Sequence, residues 1–168
     1  MNLQRKEKGF TIIEVVLVLA IAGLIFLMVF LALPALQRNQ RDTQRKNDMS
    51  RLATALTSYT SSNRGSVPAN TTAAWTAFET SYLTVNGDTF IDPSGAGSTQ
   101  AAATTVYQFV LGTVTTPYSL PFTSEQNIIH RTPNAACGST ADTTQAAGSR
   151  SVAFQMVLEG GGVHCVNN

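Results

Sequence analysis

Charge is scarce in this chain: Asp, Glu, Lys and Arg make up 12% of its 168 residues, and 11 basic side chains nearly cancel 10 acidic ones. That composition gives little support to a strongly basic nucleic-acid binder. It gives little more to an enzyme, which needs a polar constellation that this threonine-rich, charge-poor sequence does not display. Histidine occurs twice, at His130 and His164, and neither stands in a metal-binding spacing such as His-Glu-x-x-His. Serine is plentiful, yet none sits in a Gly-x-Ser-x-Gly elbow. Cysteine also occurs only twice, at Cys137 and Cys165. His164 beside Cys165 raises the question of zinc, but a zinc site needs two more ligands at workable spacing. No catalytic residue, resident metal or cofactor is assigned.

What the chain does have is one long apolar run. From Phe10 to Leu36 it reads FTIIEVVLVLAIAGLIFLMVFLALPAL, with Glu14 as the only charge, and Val15 to Leu33 is an uninterrupted stretch of 19 residues. At about 1.5 Å per helical residue, this spans a hydrocarbon core of roughly 30 Å. A cleavable secretory signal has a shorter apolar region with a small-residue cleavage site at its far end. Here the cleavage-like sequence, Lys8-Gly9-Phe10-Thr11, comes before the apolar run, so cutting there leaves the membrane helix on the product. The length suits one compact domain on one stalk.

A basic leader ending in Gly9, followed by Phe10-Thr11-Ile12-Ile13-Glu14 and an apolar helix, resembles the prepilin leader of type IV pilins and type II secretion pseudopilins. The resemblance covers residues 5 to about 36. It implies cleavage between Gly9 and Phe10 by a prepilin peptidase, N-methylation of the Phe10 amine, and a retained helix that polymerises. It also implies partners: identical or related pilin subunits, the peptidase, a pilus assembly platform and inner-membrane lipid. The precursor would be a single-pass inner-membrane protein and the product an extracellular filament. The basic flanks do not fix orientation, because Arg5, Lys6 and Lys8 face Arg38, Arg41, Arg45 and Lys46 across the apolar run. The leader resemblance therefore supplies it, with the N-terminus in the cytoplasm.

Glu14 carries the physical argument. A carboxylate at the centre of a membrane helix costs about 2.5 to 3.5 kcal/mol on insertion scales, and less near an end, where it can reach the interface. Cutting before Phe10 creates a cationic amine four residues from Glu14, or about 6 Å along a helix axis. In a staggered stack, Glu14 of one subunit meets the Phe10 amine of its neighbour. An unpaired buried carboxylate is heavily penalised, so the pairing favours one axial register. Glu14 is thus expected to be an assembly residue.

Losing Arg5, Lys6, Glu7 and Lys8 with the leader leaves 8 basic and 9 acidic side chains. The remaining cations crowd into a neck holding Arg38, Arg41, Arg45, Lys46, Arg51 and Arg64, whereas residues 65–168 hold only Arg131 and Arg150 against six acids. DNA is one candidate partner for this neck. No aromatic interleaving accompanies the charges, and Asp42 and Asp48 partly neutralise them, so a helix side facing solvent or neighbouring subunits is the simpler reading. Met49, Leu52, Ala53, Leu56 and Tyr59 recur at helical spacing while Arg41, Arg45 and Asp48 point elsewhere. The helix is expected from Phe10 to about Ser61, kinked near Leu31 to Pro34 and ended by Asn63-Arg64-Gly65-Ser66 ahead of Pro68.

In the head, residues 71–83 read as a short helix with Trp75, Phe78 and Tyr82 facing the core. Strands are expected at Val106 to Leu111 and at Val152 to Leu158, the latter with one buried face, followed by a glycine-rich hairpin into Val163 to Val166. Gly95 to Thr105 and Gly138 to Gly148 read as surface loops. The pattern Asp92-Pro93-Ser94-Gly95 ahead of Tyr107-Gln108-Phe109 resembles pseudopilin heads, some of which hold calcium; Asn86, Asp88 and Asp92 could supply oxygens, without an EF-hand spacing. With the head outside the cytoplasm, Cys137 and Cys165 are read as a disulfide.

The expected fold is α+β: a long N-terminal helix on a small antiparallel sheet, pilin-like. The organisation is a leader at 1–9, a transmembrane and filament-core helix at 10–36, its amphipathic continuation at 37–64, and an extracytoplasmic head at 65–168. The function is that of a structural subunit of a type IV pilus or related filament, supporting adhesion, twitching motility or DNA uptake. The alternatives are a secretion pseudopilin and, from another class, a membrane-anchored extracytoplasmic enzyme.

Overall fold

A computed structural model of the chain describes residues 9–85, 88–93, 107–113 and 127–168. Residues 1–8 of the leader, Asn86, Ser94, the stretch from Gly95 to Thr105 and the first residue of the Val106 strand lie outside the described residues. The chain divides into two compact units, residues 1–37 and 38–168.

Helix α1 runs from Ile12 to Ser62, 51 residues, and passes through Pro34 without ending there. In the first unit its apolar side chains are bare, from Ile12 at 85% exposure to Leu31 at 74%. This stretch is long and apolar enough to cross a membrane, with a mean hydropathy of 3.2 over its most apolar window. In the second unit α1 changes character and buries a stripe of Asp42, Arg45, Met49, Leu52, Ala55 and Leu56, spaced three and four residues apart. On the opposite side, hydroxyls of Ser50, Thr54, Thr57, Ser58 and Ser61 donate to carbonyls four residues back, which satisfies them without leaving the helix. The helix stops where Arg64 and Gly65 turn left-handed, at φ 56° and 81°, and the Gly65 N–H returns to the Thr60 carbonyl at 2.7 Å.

Helix α2 spans Thr72–Tyr82, and the Thr71 hydroxyl caps it by accepting the Ala74 N–H. Trp75 and Phe78 are buried and Tyr82 half-buried, so the aromatic stripe faces the core as expected. Tyr59 meets the Phe78 and Tyr82 rings edge-on at 5.6 and 5.4 Å.

The strands are β1 (Gln108–Leu111), β2 (Ile128–Pro133), β3 (Ala135–Cys137), β4 (Thr144–Ala146), β5 (Val152–Val157) and β6 (Val163–Asn167). Four form one sheet in the order β1-β2-β5-β6, and β3-β4 is a separate hairpin. The α+β layout is as expected, but the sheet is mixed: β2-β5 and β5-β6 are antiparallel, whereas β1 and β2 are parallel. The hairpin corrects the reading of Gly138 to Gly148 as a plain loop, since β4 lies inside it. It also explains why β5 is buried at every position rather than on one face. Val152, Phe154 and Met156 join the core with α1 and α2, while Gln155, on the other face, donates to the Ala141 carbonyl at 3.0 Å.

The reading of Arg45 as a side chain pointing away is corrected too: it is 0% exposed. Its guanidinium grips both oxygens of Asp92, at 2.7 and 3.0 Å, and reaches Asp42 at 2.9 Å and Glu159 at 3.5 Å. Burial opposes its charge, and the bonds to Asp92 and Asp42 outweigh that, so its pKa is raised. The Asp42 carboxylate accepts the N–H groups of Glu159 and Gly160, at 2.8 and 2.7 Å, and Arg41 clasps Glu159 through two nitrogens. The β5-β6 turn is thereby fastened to α1. Arg51 does the same for the chain after α2, donating to the Leu83 and Thr89 carbonyls and to Asp88.

Arg45→Ala leaves Asp92 and Asp42 buried without their cation and should cost about 3 to 5 kcal/mol. A denaturant melt shifted by less than about 1 kcal/mol would contradict this account. Glu159 titrates below its ordinary value of 4.5, held down by the hydrogen bond from Arg41 against an opposing effect of burial. A depressed carboxylate contributes stability that is complete above the unfolded value and fades as pH falls through the folded one. Stability measured between neutral pH and pH 3 should therefore decline below about pH 4.5, and Glu159→Gln should flatten that decline.

Candidate processing and assembly site

Gly9 and Phe10 precede α1 outside any helix or strand, in exposed chain, and Phe10 is 90% exposed. Phe10 therefore presents its backbone in the open, as a peptidase substrate requires. Helix initiation one residue later rests on a reciprocal cap. Thr11 donates its N–H and its hydroxyl to Glu14 Oε2, at 2.9 and 2.8 Å, and the Glu14 N–H points back to the Thr11 hydroxyl at 3.4 Å. This is the capping-box arrangement, in which a threonine and a glutamate three residues on satisfy donors at a helix start. Thr11 is the residue that sequence reasoning left without a role, although Thr-x-x-Glu ahead of an apolar run is its recognised signal.

The cap has a chemical consequence for Glu14. Both bonds from Thr11 go to Oε2, so Oε1 stays open to another donor. Glu14 also lies at the negative-preferring end of the helix, where free N–H groups favour a carboxylate. The same side chain can thus start the helix and accept a cation from outside it.

The other candidate residues sit in the second unit. Cys137 and Cys165 form a disulfide with Cα atoms 5.9 Å apart, joining β3 to β6. On chain-entropy estimates a bridge of this span stabilises by about 3 to 4 kcal/mol. With Cys165 so engaged, no thiolate accompanies His164, whose titration burial and the Lys46 charge push downward. Of the calcium candidates, Asp88 pairs with Arg51 and Asp92 with Arg45, while Asn86 lies outside the described residues. Among the described residues, no group of three or more His, Cys, Asp or Glu side chains could hold a metal ion. Within the basic neck, Arg41, Arg45 and Arg51 are bound to head carboxylates, and Arg38, 59% exposed, reaches Glu159 at 3.8 Å.

A family model described as the prokaryotic N-terminal methylation motif matches residues 4–30. The chain thus carries the prepilin-type signal found on type IV pilins and pseudopilins. Neither the curated proteins nor the solved structures contain a match to the chain.

Proposed function

We propose that this protein is a prepilin-type precursor whose product polymerises through α1 into an extracellular filament of the type IV pilus class. The observation that carries the reading is the order of chemistry at the N-terminus. A methylation-type leader meets an apolar helix just where an exposed Gly9-Phe10 bond precedes a carboxylate with one unengaged oxygen. A signal that marks pilin-type proteins implies processing by a peptidase and assembly with pilin subunits. It fits a precursor anchored in the inner membrane.

In this proposal, residues 1–9 are removed, 10–36 become the filament core and 37–64 join that core to a head formed by 65–168. The head is a structural surface and not a catalyst. The new Phe10 amine is N-methylated and remains cationic, because a secondary amine keeps its proton at neutral pH. In a stack of subunits it donates to Oε1 of a neighbour's Glu14 while Thr11 retains Oε2. Such a pair, surrounded by apolar helices, is far stronger than at a wet surface, and a one-residue slip leaves two uncompensated charges. The pairing is therefore a register device.

Mass spectrometry of the membrane-extracted mature protein should find a chain starting at Phe10 and bearing one methyl group. An intact Met1, or a cut beyond Leu33, sinks the prepilin reading. Glu14→Ala should still insert in the membrane, since it removes a charge from an apolar helix. It should nonetheless yield few or no filaments in sheared-surface preparations, and wild-type filament levels from that variant would refute the register role.

A further inference from the structure

We propose that the groove between α2 and β1 binds an extended polypeptide segment bearing a lysine or arginine, added to the sheet beside β1. The groove has a volume of about 380 Å³, with Trp75, Thr76 and Glu79 of α2 facing Gln108, Phe109 and Val110 of β1. This stands on the head alone and does not depend on the filament reading.

Three independent features specify the ligand. The first is the strand edge. Gln108 and Gly112 donate to the β2 side, to the Asn127 and Arg131 carbonyls at 2.8 and 3.0 Å. Alternation along a strand then turns the amides and carbonyls of Phe109 and Leu111 toward the opposite edge, which no described strand pairs. Val110 and Leu111 are 39% and 52% exposed there. An edge left unpaired among the described residues recruits an extended chain through main-chain hydrogen bonds.

The second is Trp75, only 2% exposed, whose indole Nε1 has no acceptor among the described residues. A buried N–H without a partner costs about 1 to 3 kcal/mol, which a peptide carbonyl in the groove would relieve. The Arg131 guanidinium stacks 4.8 Å from the Trp75 ring centroid, and its buried Nε is also without an acceptor.

The third is Glu79, one helical turn further along α2. Its carboxylate is half-buried, has no ion pair or hydrogen-bond donor among the described residues, and is pushed above its ordinary titration range by burial. A basic side chain on the incoming strand would restore what burial took from it, and the half-buried Phe109 ring lining the groove suits a cation's alkyl stem. Edge, indole and carboxylate together require donors and acceptors in alternation plus one positive charge. A polypeptide supplies that combination.

Trp75 is the chain's single tryptophan, so its emission reports on the groove directly. The full chain in detergent micelles would be titrated with an end-blocked peptide alternating threonine and valine around one central lysine. Two comparison peptides carry either glutamate in place of the lysine or a methylated backbone. We expect a saturable emission change with the lysine peptide and none with the other two, and a loss of about tenfold in affinity in Glu79→Gln at unchanged melting temperature. Absence of a saturable change overturns the proposal. So does equal binding of the three peptides, which uses wild-type protein only and needs no variant to fold, or binding unaffected by Glu79→Gln.

Discussion

The second unit depends on one buried cation. Arg45 has no exposed surface, yet it touches Asp42 three residues away, Asp92 on the chain after α2 and Glu159 at the β5-β6 turn. Each of these would be costly to bury alone, because a desolvated charge is penalised by several kcal/mol. Together they leave few unsatisfied lone pairs, and the Asp42 carboxylate uses its remaining capacity on two adjacent backbone N–H groups. Two segments distant in sequence, the chain at Asp92 and the β5-β6 turn, are therefore fixed to a single turn of α1.

The hydrophobic core alone would not impose that geometry. Met49, Leu52 and Leu56 pack against Phe78, Phe154 and Met156 through non-directional contacts that tolerate small shifts. Ion pairs with two-nitrogen grips on carboxylates do not tolerate them. The β5-β6 turn also needs left-handed backbone at Gly161 and Gly162, and a Cβ on Gly160 would approach Asp42 Oδ2 to 3.0 Å. Glycines in that turn thus serve close approach to the helix as well as chain reversal.

Legibility in the sequence followed the range of the interaction. The membrane-length run, the end of α1 and the aromatic face of α2 depend on residues within a few positions of one another, and each could be read. Arg45 could not, because a charge between Gln44 and Lys46 looks solvent-facing until partners 47 and 114 residues away are brought to it. The β3-β4 hairpin escaped for the opposite reason: alanine, threonine and glycine carry little strand signal, and it forms because it covers β5. The parallel β1-β2 pairing had no local marker at all. At the N-terminus, Glu14 stood out as an isolated charge, and its partnership with Thr11 went unread although the capping-box spacing is purely local.

That partnership changes the physical account of Glu14. In the proposed filament pathway, a carboxylate that waited unpaired for a neighbour would weigh against the membrane-inserted monomer, and subunits awaiting assembly would carry the full burden. Binding Thr11 lowers that burden without using both oxygens, because a carboxylate accepts up to about four hydrogen bonds. In the proposed assembly, release from Thr11 is then unnecessary: the amine of an adjacent subunit would add to Oε1 with the cap still closed. Replacing Glu14 by glutamine would keep the cap's geometry but remove the charge, whereas alanine removes both. The difference between those two side chains separates helix initiation, which the Thr11 cap performs, from the register selection proposed for the same residue.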